Sequence, residues 1–242
     1  MTTDLTGREH VPHDFRKEEF RTGTWGGGWQ PLFTGDMSGW DILDRGRYCP
    51  VAPGEMPERV KIADNGLLLD GTGTGICLAT GDVHWRDIEL SLLMTPIDGD
   101  CNEINFRWDD SEGPYARPWY FLSIHPGDAT VAVQRNARGW VTALSYVHYP
   151  TEHGREYAVT ILAREDSITT YIDGALVNQV TDCHSPRGRV SLSVNGSKTL
   201  YRDIQYRVLT LLPDVPDDLA YRWESDEDVP EQFRLGSHTK PA

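Results

Sequence analysis

The chain has 242 residues, 38% of them hydrophobic and 25% charged, with 23 Gly and 15 Pro; this suits one large, turn-rich domain. A formal net charge of −14 argues against a nucleic-acid partner, whose phosphates would be repelled. No apolar run approaches the roughly 20 residues that cross a bilayer, so no membrane partner is expected. Residues 1–28 are polar, end in Gly26-Gly27-Gly28 and read as an arm. They lack the basic-then-apolar order of a secretory leader, and the expected location is the cytoplasm. The four cysteines, Cys49, Cys77, Cys101 and Cys183, show no C-x-x-C spacing and are expected to be reduced thiols in or near the core.

Residues 29–209 form the body, a series of short β-prone runs separated by turn residues, with no amphipathic helix. Ile88, Leu90, Leu92 and Met94 alternate onto one face, as do Tyr157, Val159 and Ile161. Ile168, Thr170 and Ile172 lead into Asp173-Gly174, a dipeptide suited to a type I′ hairpin because both positions tolerate positive φ. Val190, Leu192 and Val194 precede Asn195-Gly196, read as a second such turn, and Ile204, Tyr206 and Val208 close the body. Evenly spaced strands point to an all-β sandwich or barrel rather than to β-α-β units. Residues 210–242 form an acidic tail, with eight acids against three bases.

The most informative strand runs from Cys101 to Trp108. Strict alternation puts Ile104, Phe106 and Trp108 on a core face and Glu103, Asn105 and Arg107 on the other. That polar row spans about 13 Å, and its carboxylate and guanidinium can each hold adjacent hydroxyls through paired hydrogen bonds. The same row also suits a solvated ladder of cross-strand ion pairs. In the next strand Tyr120, Leu122 and Ile124 face the core, leaving Trp119, Phe121, Ser123 and His125 beside the Glu103 row. The runs 131–135 and 145–149 then offer Gln134 or Arg135, and either Tyr146 with His148 or Val147 with Tyr149. An antiparallel meander of these four segments gathers Arg107, His125, Arg135, Tyr146 and His148 on one sheet. Histidines there suit general acid–base work because they titrate near neutrality.

Other signals are weak. No histidine shows a metal-ligand spacing, the acidic tips Asp98-Gly99-Asp100 and Asp109-Asp110 read as solvated, and Gly71–Gly75 lacks the following helix of a phosphate site. No metal and no cofactor are expected.

The layout resembles the 3-keto-disaccharide hydrolase domain family. Leu32, Phe33, Gly35, Ser38, Gly39 and Trp40 match its "Leu-Phe-Asn-Gly … Leu-Ser-Gly-Trp" opening. Residues 85–95 are similar to its "Asp-Phe-Glu-Leu" strand, Asn105-Phe106-Arg107 to its "Gly-Ile-Phe-Phe-Arg" strand, residues 169–177 to its "Asn-Gly" hairpin, and Tyr201–Ile204 to its closing "Phe-Arg-Asn-Ile". The resemblance implies a concanavalin A-like jelly roll of two antiparallel sheets with a sugar-directed concave face.

It also implies cleavage of a glycoside already oxidised at C3, where the ketone acidifies the C2 hydrogen and a base drives elimination of the C1 substituent. On that reading His125 or Glu103 is the base, Arg107 the partner of the developing oxyanion, and His148 or Tyr146 the acid. Asn105, Trp119, Phe121, Arg135, Trp140 and Tyr146 would contact the ligand. The family's "Asn-Ser-Gly" is replaced here by Asp100-Cys101-Asn102-Glu103. The Glu-x-Asp-x-x-Glu signature of conventional β-glucanases is absent.

Three functions are therefore weighed: a carbon–oxygen bond-cleaving enzyme acting on a sugar-derived small molecule, a non-catalytic carbohydrate-binding module, and a biosynthetic cyclase or dehydratase on the same scaffold. A binding module should present exposed coplanar rings without a buried acid–base pair, and a biosynthetic enzyme a deeper apolar pocket. The sequence leaves the oligomeric state open.

Overall fold

The computed structural model describes residues 28–44, 47–50, 56–113 and 115–211; the acidic tail beyond Leu211 and the arm before Gly28 lie outside them. Sixteen strands follow one another: β1 (Gln30–Pro31), β2 (Trp40–Asp44), β3 (Arg47–Pro50), β4 (Val60–Ala63), β5 (Gly66–Asp70), β6 (Ile76–Thr80), β7 (Trp85–Asp98) and β8 (Cys101–Trp108), then β9 (Trp119–His125), β10 (Thr130–Ala137), β11 (Trp140–His148), β12 (Tyr157–Arg164), β13 (Ser167–Ile172), β14 (Ala175–Thr181), β15 (Arg189–Asn195) and β16 (Lys198–Leu211). Among the described residues there is no helix.

The strands form two eight-stranded sheets, every pair antiparallel. Sheet I has the order β14-β13-β12-β7-β16-β5-β4, with β1 added on β16; sheet II has the order β11-β10-β9-β8-β15-β6-β2-β3. Their facing sides make one core. Ile88, Leu90, Leu92, Met94, Tyr157, Val159 and Ile161 of sheet I meet Ile104, Phe106, Tyr120, Leu122, Ile124, Val131, Val133 and Leu192 of sheet II, all buried. The period-two alternation of the sequence thus produces the two inner faces of a sandwich.

Asp173-Gly174 makes the expected tight turn, with φ of 52° and 78° between the paired residues Ile172 and Ala175. Asn195-Gly196 does not. Only Gly196 has a positive φ, and β15 and β16 belong to different sheets. The dipeptide carries the chain across the sandwich, because Val194 and Tyr201 are both needed in the core between the sheets.

The decisive irregularity is at Arg107, whose φ is 52°. The register of β8 against β15 slips there, from Asn105 opposite Ser191 to Trp108 opposite Arg189. Such a bulge reverses the side-chain alternation beyond it. Arg107 therefore turns inward and is fully buried. Its Nε donates to the Arg86 carbonyl (3.0 Å), and Nη2 reaches Asp87 of sheet I at 3.4 Å. Trp108 takes the outer face in its place. Gly188 lies against this bulge with φ 142°, where a Cβ would fall 2.3 Å from the Trp108 nitrogen, so the close approach requires glycine.

A polar plug closes the same end of the sandwich. Arg135 points inward, and its Nη1 donates to Asp182 Oδ2 at 2.6 Å. The Tyr120 hydroxyl (2.5 Å) and the His184 backbone N–H (3.0 Å) donate to Asp182 Oδ1, which His184 Nδ1 also meets at 3.0 Å. Ser185 Oγ ties the segment to the Arg107 carbonyl at 2.6 Å. Burial alone would raise the Asp182 carboxyl; the His184, Arg135 and Tyr120 contacts outweigh it and hold the group below the usual range.

Candidate functional site

The outer face of sheet II carries the polar chemistry, and register fixes it in rows. One row runs Cys77, Ser193, Glu103, Ser123, Ala132 and Tyr146 across β6, β15, β8, β9, β10 and β11. Beside it run Asp41, Ala79, Ser191, Asn105, Phe121, Gln134 and Ala143. On the other side Cys101 pairs with Asn195, and His125 and His148 both pair with Thr130. Beyond the bulge come Arg189 opposite Trp108, and Trp119 opposite Asn136.

Seven expected placements hold and three are corrected. Glu103, Asn105 and the strand of Trp119, Phe121 and His125 share this face, and Tyr146 and His148 lie further along it on the edge strand β11. Arg107 and Arg135 do not belong to it. The bulge turns the first inward, and Arg135 is opposite Tyr120 of the core, its charge taken up by Asp182. Gln134 holds the outward position on β10. Trp140 is 75% exposed and pairs with Ala137, on the inward parity of β10 at the sheet edge.

Glu103 is the centre of the face. Its Oε1 accepts from the Cys101 thiol at 3.3 Å. Burial raises its carboxyl pKa, only partly offset by that thiol and by the nearby His125. The thiol is itself pushed up to about 12 by burial and by the Glu103 charge, so it stays protonated and acts as a donor. Ser193 and Ser123 flank Glu103 on the neighbouring strands. Their Oγ atoms already accept from Asn105 Nδ2 (2.9 Å) and Gln134 Nε2 (2.7 Å), and each keeps its own hydrogen to donate.

Asn105 Oδ1 in turn accepts from Trp119 Nε1 at 3.1 Å. Trp119 stacks on Trp108 with centroids 4.4 Å apart and planes at 2°, and both rings are buried with Cys77, Phe121 and Leu43. Tyr115, half exposed, tilts against Trp119 at 5.8 Å. Thus Trp119, fixed by its stack on Trp108, holds Asn105 in one orientation.

At the corner of the face lies an open pocket of about 490 Å³ lined by Gly39, Trp40, Asp41, Gly81, Asp82, Val83 and Arg189. Arg189 is held there by Asp41 and, at 3.0 Å, by Asp110. Asp41 and Arg189 were not expected from sequence, and Asp109-Asp110, expected as a solvated tip, is instead largely buried, with Asp110 paired to Arg189; these residues come from distant segments, and only the fold joins them. Their one sequence signal is Asp41 directly after the Ser38-Gly39-Trp40 motif.

The chain is similar to known proteins over most of the sandwich. Residues 28–207 match the model of the 3-keto-alpha-glucoside-1,2-lyase-like domain family. The chain belongs to this family. Among solved structures, a carbohydrate-binding module of type 66 from Bacillus subtilis superimposes with TM-score 0.58 at 17% identity, over 72% of this chain and 99% of that one. A Bacillus subtilis protein of unknown function with a galectin-like fold gives 0.57 at 14%, over 75% and 94%. A Parabacteroides distasonis protein named as a candidate glycosyl hydrolase gives 0.53 at 14%, over 76% and 100%. No curated protein matches the sequence. The fold is thus a concanavalin A-like jelly roll, and the domain is a glycoside-related one.

Proposed function

We propose that the protein cleaves a 3-keto glycoside, or a closely related oxidised polyol, on the outer face of sheet II, with Glu103 and His125 moving the protons. The observation that carries this is Glu103. A carboxyl is half-buried among hydroxyls and amides, fixed by a neutral thiol and set beside a histidine. Burial, only partly offset by the thiol and by His125, makes its carboxylate a stronger base than an ordinary glutamate.

The step is redox-neutral. Glu103 takes the hydrogen from C2, the C1–O bond breaks with its electron pair leaving on oxygen, and His125 gives that oxygen a proton. The products are an unsaturated 3-keto sugar and a free alcohol. The Ser193 and Ser123 hydroxyls, primed by Asn105 and Gln134, donate to the ketone oxygen as charge builds there. Arg107, between the sheets, takes no part. The exposed ring Tyr115 lies off β11, and the two exposed rings of β11, Tyr146 and Trp140, have opposite parity, which favours this reading over a flat sugar-binding platform.

The test is release of p-nitrophenol from p-nitrophenyl 3-keto-glucoside across pH. The expected profile falls on the acid side with a midpoint above the ordinary glutamate value of 4.5, since the base must be ionised. A protein that binds the compound but releases nothing at any pH is a binding module, and the proposal is then wrong.

A further inference from the structure

We propose that the corner pocket at Asp41 and Arg189 is a second subsite, which binds the neutral, hydroxyl-rich aglycone of an extended substrate. This rests on Glu103 marking the reacting end. From Ser193, opposite Glu103, to Arg189 is four residues along β15, about 13 Å at strand rise. That exceeds the reach of a single sugar ring, so a ligand engaging both ends must continue past the ring that reacts.

The two ends lie on one face of β15. Ser193 and Asn105 lead to the Trp119–Trp108 pair, where the half-exposed Tyr115 offers a ring face for stacking, and Trp108 abuts Arg189 in register. The pocket has the volume of a small-ligand site and glycine on two of its walls, Gly39 and Gly81.

Its chemistry selects the class of ligand. Arg189 already faces two carboxylates, Asp41 and Asp110, and Asp82 adds a third acid to the lining. An anionic group would meet more negative than positive charge, whereas vicinal hydroxyls can bridge the guanidinium and a carboxylate.

The experiment compares kcat/KM for 3-keto-glucosides whose aglycones are methyl, glucosyl, cellobiosyl and glucuronosyl, with wild type and with Val83→Trp, which fills the pocket while keeping Asp41 and Arg189 in the sequence. Wild type should gain about tenfold or more from methyl to cellobiosyl, because remote binding energy is used in the transition state, and should turn over the glucuronosyl compound more slowly than the glucosyl one. In Val83→Trp the gain should shrink to about twofold or less while methyl turnover persists. A flat wild-type series with the methyl compound cleaved, or a gain that survives Val83→Trp, overturns the subsite and leaves the Glu103 reading intact. If none of the four is cleaved, the Glu103 reading falls and takes the subsite with it.

Discussion

Glu103→Gln is expected to lower turnover of a 3-keto-glucoside by about 10²- to 10⁴-fold, the usual worth of a positioned proton-transfer group, with ligand binding retained. Gln keeps the shape and can still accept from the Cys101 thiol, but it cannot take the C2 proton. The same change should make the protein more stable at neutral pH. The folded-state pKa of Glu103 is raised by burial, so its contribution to stability is fully present below the unfolded value and is lost as pH rises through the folded one. The variant escapes that loss. Urea unfolding at neutral pH should show a gain of about 0.5–2 kcal/mol, shrinking as pH is lowered towards the ordinary glutamate value of 4.5. A variant that keeps wild-type turnover removes Glu103 from the mechanism.

Asp182→Asn should have the largest effect on folding. The wild-type carboxylate ties Arg135, Tyr120 and His184 together at the closed end of the sandwich. Removing its charge leaves the Arg135 guanidinium buried between the sheets without its ion-pair partner. Breaking a buried pair in this way costs about 3–5 kcal/mol, readable as a lower urea midpoint. Because the folded pKa of Asp182 lies below the usual carboxylate range, its contribution is present above the unfolded value of 3.8 and is lost as pH falls through the folded one. The gap between wild type and variant should therefore be full at neutral pH and close in strong acid. A gap that is negligible at pH 7 would show that the plug is not a structural keystone.

The sandwich was legible in the sequence because alternation is a local signal. Ile88 to Met94, Tyr157 to Ile161 and Val190 to Val194 each place their apolar members in the core as the pattern requires. The meander of β8, β9, β10 and β11 was legible for the same reason, as short connections make sequential strands neighbours. The errors came where one residue breaks the period. A single αL residue at Arg107 exchanges the places of Arg107 and Trp108, and Cys101–Trp108 contains no glycine to announce it. Arg135 was misplaced because either parity of 131–135 looks plausible until its neighbour Tyr120 is fixed. The site was legible in part, for Glu103, Asn105 and His125 lie on regular stretches. Ser193 and Arg189 were missed because a serine in an apolar strand and an arginine at a strand start acquire meaning only beside β8.

A sugar-derived ligand is proposed to sit on the outer face of sheet II. Backbone amide NMR during titration with a 3-keto-glucoside tests it most directly, since it reads location whether or not the bond is cut. Shifts should concentrate at residues 101–105, 119–125 and 191–195, with the outer side of sheet I, at Lys61, Arg202 and Gln179, unmoved. Shifts confined to sheet I, or saturation without change at Glu103 and His125, would contradict it.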